Sequence, residues 1–161
     1  MKLKDIYLRI KREAEIKMPH VQYIDLQKKQ FERATESYPI PVPALLVEFK
    51  GAGFSNLGGH RQIGDSSVSI CFYKELVTDT FNQSELESET LKLLDAKDEL
   101  FQVFQGLRVT DTSQLIRVSE GDFIFEDDYV YFETTFSFVQ YEKKKEHHRK
   151  IKAKPNIIVE H

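Results

Sequence analysis

Residues 129–141 read Tyr129-Val130-Tyr131-Phe132-Glu133-Thr134-Thr135-Phe136-Ser137-Phe138-Val139-Gln140-Tyr141, and their alternation decides the fold. Val130, Phe132, Phe136 and Phe138 fall on one side with Thr134 among them; Tyr129, Tyr131, Glu133, Thr135 and Ser137 fall on the other. A period of two marks a strand with one buried face, and aromatic and β-branched side chains suit its pleated surface. A strand of about a dozen residues is well beyond the usual five or six. Something besides its own core must therefore use its length or its outer face.

Working outward, the acidic turn Glu126-Asp127-Asp128 leads into this strand, and Gln114 to Val118 reads as a short strand before it. Segment 84–106 is the main helix. Ser84 with Glu87 three residues on forms a capping-box pair, Leu86, Leu93, Leu94, Phe101 and Phe104 form an apolar stripe, and Gly106 ends it. Arg61 to Lys74 is a second strand with Val68, Ile70 and Phe72 on one face. Between it and the buried run Ala44-Leu45-Leu46-Val47-Glu48-Phe49 lies Gly51 to Gly64, which holds five of the seven glycines and reads as a long mobile loop. Pro39, Pro41 and Pro43 precede the buried run and lack ladder donors, so they approach the strand rather than join it.

At the N-terminal end, Leu3, Ile6, Tyr7 and Ile10 share one face of a helix over 2–17, which Met18-Pro19 stops. His20 to Leu26 is a weaker strand, with Val21 and Tyr23 alternating against Gln22 and Ile24; residues 27–38 are polar, with Phe31 and Tyr38 as anchors. This order of elements predicts an α+β fold, a largely antiparallel sheet with one long helix and the N-terminal helix packed on one face.

The chain has 161 residues, 40% hydrophobic and 30% charged, with 12 Phe, 7 Tyr and no Trp. That suits one folded domain, over 1–141, rather than two cores or a disordered chain. Residues 142–161 hold seven basic and three acidic side chains, so the net charge of −3 becomes −7 without them. They read as a basic C-terminal arm, solvated or touching nucleic acid or an acidic partner. Cys71 is the only cysteine, Met1 to Asp5 has no apolar leader run, and no stretch is long and apolar enough for a membrane span. The expected setting is a reducing cytoplasm or a particle assembled there, with no membrane partner.

Each cluster that could carry chemistry meets an objection. In Gly51-Ala52-Gly53-Phe54-Ser55-Asn56-Leu57-Gly58-Gly59, Asn56 stands where a dinucleotide fingerprint needs glycine, and a strand follows rather than a helix. Glu48-Phe49-Lys50, with Asp25 on an earlier strand, resembles the metal site of restriction-type nucleases, but the Pro-Asp pair usual there is missing. His147 and His148 are adjacent and would not converge on one metal, and Glu126-Asp127-Asp128 suits a turn. Cys71 has no evident histidine partner and reads as a small strand side chain. The expectation is a non-enzymatic protein without metal or cofactor.

The whole layout resembles the tail terminator, or tail completion, proteins of long-tailed phages and prophages. There an N-terminal helix precedes a proline-flanked strand, here Tyr38-Pro39-Ile40-Pro41-Val42-Pro43-Ala44-Leu45-Leu46-Val47-Glu48-Phe49. A loop and strand follow, then one long helix, then a closing hairpin with a long aromatic strand. Tyr23-Ile24-Asp25-Leu26-Gln27 and Pro43-Ala44-Leu45-Leu46-Val47-Glu48-Phe49 are similar to segments of uncharacterised prophage proteins of this class. The resemblance covers about residues 1–141. It implies a structural protein of virion assembly, in the bacterial cytoplasm and then the virion tail. The subunit forms a ring, commonly hexameric, that caps the tail tube protein and meets a head–tail connector protein, without sequence-specific nucleic-acid binding. Another small head–tail connector is the nearest relative of that reading. Tyr129, Tyr131, Glu133 and Tyr141 on the long strand, with Phe54 and Asn56 in the glycine-rich loop, are the expected interface residues. The acidic body would suit a lumen that passes DNA without holding it.

Overall fold

The alternation of residues 129–141 becomes a strand whose even-numbered side chains are buried throughout Val130 to Gln140. In chain order the elements are α1 (Leu3–Lys17), β1 (Tyr23–Leu26), α2 (Gln30–Arg33), β2 (Ala44–Phe49), β3 (Gly53–Gly58), β4 (Arg61–Glu75), α3 (Glu87–Phe104), β5 (Ile116–Glu120), β6 (Ile124–Phe125) and β7 (Tyr129–Lys143). The computed structural model describes residues 3–33 and 39–145. Tyr38, His147, His148 and most of the basic arm lie outside the described residues.

The strands form one seven-stranded sheet in the order β1-β2-β4-β7-β5, with β3 added to β4 and β6 to β7. Only β1–β2 is parallel. β4 and β7 pair in unbroken antiparallel register from Arg61↔Lys143 to Glu75↔Tyr129. The protein is thus an α+β fold with a mostly antiparallel sheet, and α1 and α3 pack against it.

One sheet face carries the main core. Leu45 and Val47 of β2, Val68, Ile70 and Phe72 of β4, and Phe132, Phe136 and Phe138 of β7 lie under Ile6, Ile10 and Ala14 of α1 and Ala96, Leu100, Val103 and Phe104 of α3. Phe104 meets Phe136 edge-on, with ring centroids 6.2 Å apart. Burying each such side chain is worth about 1.5–3 kcal/mol. The spacing Ile6, Ile10, Ala14 is one stripe of α1, and Glu13 beside it is buried between Arg9 and Lys17, each at 2.9 Å. The hydrogen bond from Lys17 holds the Glu13 carboxyl below its usual range.

Several expectations need correction. The stretch Gly51 to Gly64 is not a loop: β3 pairs with the start of β4, turning through Gly58, Gly59 and His60, all at positive φ. Ser84 does not cap α3, which begins at Glu87; the Ser84 hydroxyl instead donates to the Asp79 carbonyl in the preceding turn. The buried stripe of α3 runs through Ala96, Leu100, Val103 and Phe104, leaving Leu86 and Leu94 exposed. Val21 and Tyr23 do not share a face, because Val21 packs with Ile24 on the main core and Tyr23 joins the opposite side. β6 is an unexpected short strand, and Gln114 forms only a bridge to Arg108 ahead of β5. Gly106, at φ 78°, ends α3 as its sequence position suggests.

Among buried side-chain polar atoms of the described residues, Thr134 Oγ1 alone has no hydrogen-bond partner. A buried hydroxyl left unpaired costs on the order of 1 kcal/mol or more. Thr134→Val keeps the shape and removes the unpaired group, so it is expected to raise unfolding stability by about 1 kcal/mol. Urea denaturation checks this: the midpoint should rise with an unchanged slope, and a lower midpoint would contradict it.

Candidate functional site

Among the described residues the second sheet face has no helix layer comparable to α1 and α3, and the odd-numbered residues of β7 there include three of the six expected interface residues. At one end it is aromatic. Tyr73, Tyr129 and Tyr131 surround Phe31, which stacks on Tyr73 at 4.1 Å with ring planes 2° apart. Tyr73 and Tyr131 stack in turn at 4.9 Å, because β4 and β7 place them directly opposite one another. Phe31 is delivered by the short α2, reached through Lys29 at φ 57°. Gln27 Nε2 donates to the Tyr73 hydroxyl at 3.1 Å. Burial pushes the Tyr73 phenol up to about 12.

Next to the aromatics the face turns polar. The Ser69 hydroxyl donates to Glu133 Oε1 at 2.6 Å and lies 2.8 Å from the Thr135 hydroxyl. Lys50 Nζ sits 2.7 Å from Glu48 Oε2 and 3.7 Å from Glu133 Oε1, and its bond to Glu48 raises its affinity for its proton. Cys71 lies beneath, its thiol 4.0 Å from Glu133 Oε2. Burial, reinforced by the Glu133 charge, pushes that thiol up to about 12, so it is not a thiolate at neutral pH. A hollow of about 270 Å³ runs along this face between Phe31 and the Glu48, Tyr131 and Glu133 side chains.

The three residues resembling a nuclease site do not form one metal cage. Glu48 and Lys50 are together, but Asp25 is bound to Lys28 Nζ through both oxygens at 3.0 and 2.8 Å, to the Leu26 N–H at 2.7 Å and to the Tyr23 hydroxyl at 3.1 Å. Burial alone would raise the Asp25 carboxyl, but these bonds outweigh it and hold it below its usual range. Among the described residues, no group of three or more His, Cys, Asp and Glu side chains is placed to hold a metal ion.

At the far end of the sheet the ladder outruns the core. Arg61 and Gln62 at the start of β4 are exposed, as is Tyr141 near the end of β7. β3 pairs here on the outside of β4, exposed along its whole length. The Phe54 ring lies over Gly64, where an added Cβ would come within 2.6 Å of it and would push the exposed ring aside. Asn56 Oδ1 accepts a bond from the Gly58 N–H at 2.9 Å and shapes the turn.

The structure therefore separates the expected interface residues. Tyr129, Tyr131 and Glu133 belong to the face just described, whereas Tyr141, Phe54 and Asn56 lie on the projecting hairpin. Sequence reasoning missed an apolar groove beside the N-terminal half of α3, with Leu94 and Phe125 exposed along it. The apolar residues of 76–81 and 123–125 were the available signal. Compared with known proteins, the chain matches no family model and no curated protein at a significant level.

Removing the Phe31 ring uncovers Tyr73. Spectrophotometric titration should find one tyrosine ionising near 12 in the wild type, and Phe31→Ala should bring it down toward the ordinary 10. Because the folded-state value lies above the unfolded one, this group's contribution to stability is complete below pH 10 and is lost between pH 10 and about 12. An unchanged titration in Phe31→Ala would contradict the assigned cover.

Proposed function

We propose that this chain is a structural subunit of an assembly, of the tail-terminator type: a protein that closes into a ring, caps a tail tube and presents a surface for head joining. One observation carries the reading. The β4–β7 ladder is longer than the core it covers, and its excess forms an exposed hairpin with a free β3 edge. A solitary domain gains nothing from such an edge, which risks unwanted pairing. A ring subunit uses such surface at its neighbours.

Two further features support it. The open sheet face presents tyrosines, a residue type enriched at interfaces, and a row of mutually neutralised charges rather than a reactive group. The order of elements, from the N-terminal helix through the proline-flanked β2 to the long closing β7, is the one on which the resemblance to the tail terminators rests. The net acidic body, −7 over residues 1–141 once the seven basic and three acidic side chains of 142–161 are set aside, suits a channel that passes DNA without retaining it. The partners proposed are further copies of the chain, a tube protein and a connector protein.

Two measurements test the proposal. Electron microscopy of the purified protein, alone and added to tail tubes, should show closed rings or capped tube ends. Tubes that lengthen without limit in its presence would count against the proposal. DNA incubated with the protein and Mg²⁺ or Mn²⁺ should remain intact, and metal-dependent cleavage lost in Glu48→Ala would replace this reading with the nuclease one.

A further inference from the structure

The two ends of the β4–β7 ladder are chemically unlike, and each has what the other lacks. At one end lies the apolar groove between the N-terminal half of α3 and the segment that follows β4. Its walls include Leu76, Val77, Leu93 and Leu94, its floor is Phe123 and Val130, and its volume is about 240 Å³. That is below the range of about 300–1,000 Å³ usual for small-molecule sites and fits one or two apolar side chains. The groove's own cation, Lys74, is neutralised by Glu89 at 2.8 Å.

The acidic turn Glu126-Asp127-Asp128 follows Phe125 of the groove's lining, and Glu126 also lines the hollow on the opposite sheet face. The Leu76 N–H donates to the Asp128 carbonyl at 3.2 Å, so the turn is fastened to the groove wall. All three acids are exposed, and none takes part in an ion pair among the described residues. Phe125, immediately before them, is 62% exposed at the groove's edge.

The opposite end is the hairpin tip. Phe54 and Leu57 of β3 are 45% and 52% exposed. The tip hollow is lined by His60, Lys143 and Lys144, with Glu142 the one acid of its lining among the described residues, and Arg61 stands exposed opposite Lys143 in the ladder. The Lys144 N–H donates to the His60 carbonyl at 2.9 Å, which fixes the end of β7 beside the turn. This tip is a basic surface with two apolar side chains; the groove is an apolar slot with an acidic turn next to it in the chain.

One molecule cannot bring the two together. The register from Arg61↔Lys143 to Glu75↔Tyr129 is continuous, which at about 3.3 Å per residue separates the ends by roughly 45 Å. A paired ladder that supports the core on one face does not fold back on itself. We infer that the groove beside α3 receives the hairpin tip of a second copy of this chain, Phe54 or Leu57 entering the slot and the tip's basic residues meeting the Glu126–Asp128 turn. The contact joins unlike surfaces, so it propagates head to tail and closes a ring when the rotation between copies allows. It rests on the assembly reading and names the surfaces that meet.

A charge exchange at exposed positions tests it. One variant carries Arg61→Glu, Lys143→Glu and Lys144→Glu; a second carries Glu126→Lys, Asp127→Lys and Asp128→Lys, with circular dichroism confirming that both fold. Light scattering at low ionic strength follows self-association. Each variant alone should associate at least tenfold more weakly than wild type, and an equimolar mixture should recover association, because only unlike chains then match. Leu94→Arg, at an exposed groove position, should weaken wild-type association without any change at the tip. If wild type associates and both triple variants do so equally well, the inference is overturned while assembly through another surface stands. If wild type stays monomeric at high concentration yet still caps tail tubes, the inference is likewise overturned and the assembly reading survives. A monomer that leaves tubes uncapped ends both.

Discussion

The pairing of β4 with β7 is the constraint on which the rest of the molecule depends. Two fifteen-residue strands in one register assign every side chain along them to a face. Phe72 meets Phe132 on the core side, while Tyr73 meets Tyr131 on the other. A slip of one residue would exchange the two sets, placing the phenylalanines in solvent and Glu133 under the helices. β2 and β5 then take positions on either side of this pair, and α1 and α3 cover the face on which the apolar residues fall. The hairpin is the same ladder continued beyond that cover.

Much of this was legible because alternation over a long strand is hard to produce by accident. Phe132, Phe136 and Phe138 against Tyr131, Glu133 and Thr135, and Val68, Ile70 and Phe72 in β4, assigned faces correctly from period alone. Gly106 marked the end of α3 because the chain needs positive φ there. β3 was not legible for the opposite reason. Its sequence, Gly-Phe-Ser-Asn-Leu-Gly, has no alternation and buries nothing, so only pairing with β4 makes it a strand. The phase of α3 was misread because the leucines Leu86 and Leu94 look like core, whereas the smaller Ala96 and Val103 are what the helix buries. Ser84 has the chemistry of a cap, but its hydroxyl is spent on the turn before the helix. The pairing of groove and hairpin tip, at opposite ends of the ladder, carries no local sequence signal at all.

On the open sheet face the candidate groups are satisfied by separate partners, Asp25 by Lys28 and Glu48 by Lys50. A sheet face without a helix layer must satisfy its charges within itself. Lys28 answers Asp25, Lys50 answers Glu48, and Ser69 answers Glu133. Glu48 and Glu133 share Lys50, at 2.7 and 3.7 Å, while Asp25 is held separately by Lys28. Cys71 beneath them is pushed up to about 12 by burial and by the Glu133 charge.

The asymmetry of the ladder's ends bears on how such a protein would assemble. If the exposed apolar residues lay at one end only, two copies would bury them by meeting face to face in a closed pair. Here Phe54 and Leu57 are at the basic end while Leu94 and Phe125 are at the acidic one. Like ends repel and unlike ends attract, so burial of both apolar sets favours a directional contact that each copy makes twice, once as donor and once as acceptor. The stiffness that keeps a molecule from satisfying itself is the same stiffness that fixes the angle to its neighbour. A fixed angle, repeated, is what separates a ring of defined size from an aggregate, and in this fold it would be set by the length and twist of β4 and β7.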